Sequence, residues 1–246
     1  MENAANPTAE ILDPRFLIQV FEQAHQGICR CEAFLDIYDN KISADKIKKE
    51  DLENFLQWNR NNVFRELIES FAFFLTELRC AIELIKVGEL TSEREKIFRN
   101  DSRNFHKQLE EVRKNINISK EDGDFLLVMN DLSNCISHDC GLAIKDKLEK
   151  WGRDGKIKFP RISPMFQDSS GKWIEATPPC TLPENTGLSV GIIYEEKQFK
   201  EFEEIKFESK QISDICTAMH LLLDTKIAPA VDEFFKTVIS KTNSSS

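Results

Sequence analysis

The chain has 246 residues, 41 % of them apolar, enough to build a core in one large domain or two small ones. Its net charge of −9 and pI near 5.1 exclude a broadly basic nucleic-acid binder and confine any polyanion contact to a small local face. Seven cysteines, an odd number, read as reduced thiols; with no basic leader and no run of about 18 apolar residues, the expectation is a cytoplasmic protein without membrane contact.

Pro14, following Asp13, opens the first predicted helix. Phe16, Leu17, Val20, Phe21, Ala24, Ile28 and Cys31 recur in it at three-to-four spacing, and it runs to about Tyr38. Ser43, Asp45 and Asp51 open a longer one, whose apolar residues from Leu56 to Ile85 form a wide, phenylalanine-rich stripe, and Gly88 ends it. Such breadth marks the central helix of a bundle. Thr91 or Ser92 caps a third helix, with Glu95 placed for a capping box and a narrower stripe of Phe98, Phe105, Leu109, Val112 and Ile116. A turn at Glu121-Asp122-Gly123 precedes a fourth, beginning near Phe125 and carrying Asn134 and His138 near its C-terminal end, with Gly141 as a C-cap or bend.

A fifth helix, Leu142 to Trp151, ends at Gly152-Arg153-Asp154-Gly155. Prolines at 160, 164, 178, 179 and 183 then exclude regular helix. Residues 156–194 read as an irregular insertion with short strands at Lys156–Phe159, Lys172–Ile174 and Leu188–Tyr194, while the charged stretch Glu195–Phe207 fits no single element. A last helix runs from Ser209 to about Ile239, kinked at Pro229, and residues 241–246 read as a disordered tail. The expected architecture is mostly α: one up-and-down helical bundle domain with a proline-rich, partly β insertion before its last helix.

The segment Ser133–Gly141, SNCISHDCG, carries the most chemistry. Through Asn134, Cys135, Ile136, His138, Asp139 and Gly141 it resembles the closing motif of the HEPN-domain family, which often reads RNCIVHNxG. The long helix over 59–84 and a closing helix after an irregular insertion are similar to that family's layout. The resemblance implies a HEPN-like bundle that dimerises. In active members it further implies metal-independent RNA cleavage at a composite site of two motif copies, which makes His138 and Asn134 the candidate catalytic residues.

Such cleavage needs a base near the 2′-hydroxyl and charge stabilisation at the phosphoryl oxygens. Histidine suits the first task because it titrates near neutrality, and arginine the second through its permanent, planar fork of donors. Ser133 stands in the arginine slot, and no lysine or arginine lies between Lys120 and Lys145. Removing an oxyanion stabiliser lowers rates by on the order of 10²–10³.

Three readings follow. One is a non-catalytic or weakly active HEPN-like module, homodimeric and open to a protein partner, with the helix around Asn134 and His138 as its interface and RNA disfavoured by net charge. A second is a metal-independent endoribonuclease of a toxin or bacterial-defence kind, with Arg60, Arg65 or Arg153 supplying the missing charge. The third is a helical adaptor unrelated to the family. His138 also has a plain structural role open to it, as a buried or half-buried histidine at a helix end.

No cofactor is expected, since GxGxxG, GxxxxGK[ST] and HExxH are all absent. Nor is a metal: Cys135, His138 and Cys140 crowd one turn and bend, where they point in different directions. Arg99-Asn100 followed by His106 formally repeats the arginine-then-histidine spacing, but within the polar run RNDSRNFHKQ, which reads as a solvated helix face.

Overall fold

The computed structural model describes residues 14–41, 48–88, 90–101, 104–150, 155–168, 170–176 and 188–244. They are mostly helical, with one small antiparallel sheet. Helix α1 (Pro14–Lys41) follows its apolar periodicity, and α2 (Lys49–Val87) is the long helix expected. Glu50 and Asp51 sit in the first turn of α2, where negative charge meets the positive end of the helix dipole; Ser43 and Asp45 lie outside the described residues. Gly88 closes α2 with φ +80°, a conformation that side chains resist.

The single helix expected over 91–116 is two, α3 (Ser92–Asn100) and α4 (Phe105–Arg113). Thr91 Oγ1 caps α3 by accepting from the Arg94 amide at 3.4 Å, and Glu95, one place too far on for a capping box, bonds Arg99 instead. Asn104 caps α4 through the Lys107 amide at 3.0 Å. Asp101, at the break, takes Lys107 Nζ at 2.7 Å and Arg79 Nη1 at 3.4 Å, so the interruption is tied down from two sides.

Helix α5 (Lys120–His138) starts inside the expected turn and contains Gly123. Ser119 Oγ accepts from the Asp122 amide at 3.1 Å and opens it. A Cβ at 123 would lie 2.9 Å from Arg113 Nη1, the far end of a flexible side chain that can move aside, so glycine is accommodated there rather than required. Helix α6 is short (Lys145–Lys150), with Trp151 outside the described residues.

Strands β1 (Lys156–Gln167), β2 (Trp173–Glu175) and β3 (Leu188–Gln198) form an antiparallel sheet in the order β2-β1-β3, with β1 and β3 longer than expected. Pro160 and Pro164 lie inside β1, opposite Tyr194 and Val190. The Pro164 carbonyl accepts from Ala176 at 2.9 Å, on the β2 side. Strand geometry repeats every second residue, so both prolines turn their missing N–H toward that side and leave the β1–β3 ladder whole.

Helix α7 (Ser209–Leu222) passes through a π turn (Leu223–Ile227) into α8 (Ala228–Ser244). The wide turn falls just before Pro229, where the expected kink has its cause: proline has no amide for the preceding turn and crowds its carbonyl. Residues 241–244, expected within a disordered tail, are helical.

The chain divides into two compact units. Unit 1 comprises the chain up to Arg30, Glu66–Asn130 and the chain from Leu221 onward. Its core includes Phe71, Phe74 and Phe105, with half-buried Phe21 edge-on to Phe74 at 5.3 Å between centroids. Unit 2 comprises Cys31–Arg65 and Asp131–His220. There Phe64 meets Phe207 at 4.4 Å, and Phe159 of β1 joins Phe207 and Phe199. Aromatic pairs of this kind contribute about 0.5–1.5 kcal/mol each beyond the apolar area they bury.

Candidate functional site

The segment 133–141 ends α5 within unit 2. Helical spacing turns Leu132, Ser133 and Cys135 inward, leaves Asn134 half-buried, and brings Ser137 and His138 to the surface. Ser133, in the slot of the arginine, is only 5 % exposed, and that decides what the slot can display. His138 is the last residue of the helix, where the carbonyl ends favour a positive charge. The buried or half-buried position open to it from sequence is not the one it takes.

The helix closes by a wide turn. The Cys135 carbonyl accepts from both Asp139 N and Gly141 N at 3.0 Å. Cys140 and Gly141 follow with φ of +54° and +77°. The chain then pairs with the segment before α7: Gly141 O accepts from Ile205 N at 2.7 Å, Ala143 N donates to Glu203 O at 2.9 Å, and Phe202 N donates to Ala143 O at 2.8 Å. A bridge between Leu142 and Glu204 completes this short antiparallel clasp.

Burial pushes the Cys135 thiol up to about 11, against the Ile144 amide that hydrogen-bonds it, with Asp139 adding to the rise. The thiol is therefore neutral and serves as a small core residue. Cys140 and His138 are exposed, whereas Cys135 is buried.

Lys147, on α6, is the residue sequence reading missed. Its Nζ lies 2.6 Å from Asp131 Oδ1, and both side chains are largely shielded from solvent. It brings a cation back to α5, yet one already satisfied by a carboxylate. The only signal for it in the sequence is the glycine-marked bend that returns the chain toward the helix.

Of the arginines named as substitutes, Arg60 donates to Ser209 Oγ at 3.0 Å and pairs with Glu53 at 3.3 Å. Arg65 is half-buried on α2, and Arg153 lies outside the described residues. The second arginine–histidine spacing does not share a helix: Arg99 on α3 pairs with Glu77 at 2.5 Å and Glu95 at 2.9 Å, while His106 on α4 faces Glu110 at 3.1 Å. No helix among the described residues is long and apolar enough to cross a membrane.

Chemically, the arrangement offers an exposed imidazole beside a half-buried amide, on a helix end fixed by backbone bonds. No family model matches the chain, and neither a curated protein nor a solved structure matches it.

Proposed function

We propose that this protein is a HEPN-like helical interaction module, homodimeric or docked on a protein partner, that uses the end of α5 around Asn134 and His138 as contact surface and does not cleave RNA efficiently. The observation that carries the reading is the burial of Ser133 beside an exposed His138. A phosphate at the imidazole would need a cation in the slot, and that slot holds a small neutral side chain turned into the core. The acidic net charge adds to this by repelling polyanions.

The test pairs two measurements on the full chain. Incubation with a mixed-sequence RNA is expected to leave it intact with both the unaltered protein and His138→Ala. Light scattering is expected to give a dimer mass that Asn134→Arg with His138→Glu reduces to the monomer. Strong cleavage abolished by His138→Ala would replace this reading with the endoribonuclease. A monomer that also fails to cleave RNA would remove the homodimer.

A further inference from the structure

Unit 2 holds a groove of about 250 Å³ between one face of α2 and the extended segment Glu204–Lys206. Asn54, Gln57, Trp58 and Asn61 reach it from α2 at helical spacing. Trp58 is 62 % exposed and packs against Phe55 at 6.0 Å between ring centroids, so it lines the groove with open apolar surface. Gln57 Nε2 donates to Asn61 Oδ1 at 3.0 Å, which leaves the Gln57 carbonyl and the Asn61 amide group with bonding capacity next to Asn54.

The two carboxylates at the rim are already compensated. Glu53 pairs with Arg60 at 3.3 Å, and Glu204 with Lys206 at 2.9 Å. A cationic ligand would have to compete with those partners, and a phosphate would meet two carboxylates. What remains is an indole face surrounded by donors and acceptors of no net preference for charge. A pyranose ring has the matching chemistry: an apolar C–H face for the indole and a rim of hydroxyls, each able to donate and accept. We infer that this groove is a binding site for an uncharged pyranose sugar, stacked on Trp58 and hydrogen-bonded by Asn54, Gln57 and Asn61. Its second wall, at Glu204, is the strand-like segment bridged to Leu142.

Ligand-observed saturation-transfer NMR on the full chain tests this, with methyl glucoside, methyl galactoside and N-acetylglucosamine as separate millimolar probes and adenosine and arginine amide in parallel. At least one sugar is expected to receive saturation on its ring protons, with loss of the signal in Trp58→Ala, weakening in Asn54→Ala and retention in Trp173→Ala. Silence from all three sugars overturns the inference, as does an undiminished sugar signal in Trp58→Ala or a signal confined to adenosine or arginine amide.

Discussion

The carbonyl oxygen of Gly141 accepts the amide of Ile205 at 2.7 Å, joining the end of α5 to the segment that leads into α7. Gly141 makes this bond with φ +77°, and no atom crowds the place where a Cβ would sit. Conformation alone therefore sets the penalty for a side chain. Gly141→Ala should lower unfolding free energy by about 1 kcal/mol. Urea titration measures it, and an unchanged midpoint would show that the clasp tolerates another backbone path.

Phe202 is the mirror case. It holds φ +64° within the turn closed by Glu203 N and Lys200 O at 3.0 Å, and its ring is 68 % exposed. Left-handed strain with so little burial to offset it predicts that Phe202→Gly stabilises the chain by about 0.5–1 kcal/mol, after allowing for glycine's greater freedom when unfolded. Thermal unfolding of the two proteins side by side checks the sign.

Restoring the arginine of the motif should not restore a site. Ser133 is buried, so Ser133→Arg places a long cation in a position shut off from water, at about 3 kcal/mol of destabilisation. Circular dichroism during denaturation reads the loss. A variant as stable as the parent that cleaves RNA would show that the side chain escapes to the surface beside His138.

Acid should loosen the sheet. Arg161 bonds Glu175 at 2.6 and 3.0 Å, Ser163 adds a third bond at 2.7 Å, and together they hold the Glu175 carboxyl below the usual range. A depressed folded pKa gives stability that is complete above the unfolded value of about 4.3 and is lost as pH falls through the folded value. Stability of the parent should therefore fall more steeply below about pH 4 than that of Arg161→Gln, whose Glu175 titrates closer to normal. Parallel slopes from urea midpoints against pH would remove the pair from the acid response.

Cysteine reactivity should follow position rather than sequence. Cys29 and Cys140 are exposed, whereas burial raises the thiols of Cys80 and Cys135 to about 11. Iodoacetamide at neutral pH is expected to label Cys29 and Cys140 first and to reach Cys80 and Cys135 only on unfolding. Peptide mapping by mass spectrometry follows the order; early labelling of Cys135 would mean that the end of α5 opens readily.

Much of the helical layout was legible because broad apolar periodicity leaves little choice of face, as in α2 from Val63 to Ile85. The break between α3 and α4 was not, since it depends on Asp101 being held by Arg79, a residue 22 positions earlier. Gly123 misled for a plainer reason: glycine marks a turn, yet it is also accommodated near the start of a helix, as in α5. At the candidate site, sequence located the helix end and His138 within it. It could not give the inward turn of Ser133, because a serine in a helix is neutral toward water or core until its neighbours are placed.

The two prolines of β1 have an effect on how the protein behaves in crowded surroundings. Strand β2 pairs only with Met165–Gln167, leaving the rest of that flank of β1 without a partner strand among the described residues. A foreign strand approaching it would find the donors missing at Pro160 and Pro164 and no continuous row to zip against. The same residues that shorten the ladder on that flank thus blunt this edge of the sheet against strand addition, while the outer edge of β3 carries no proline.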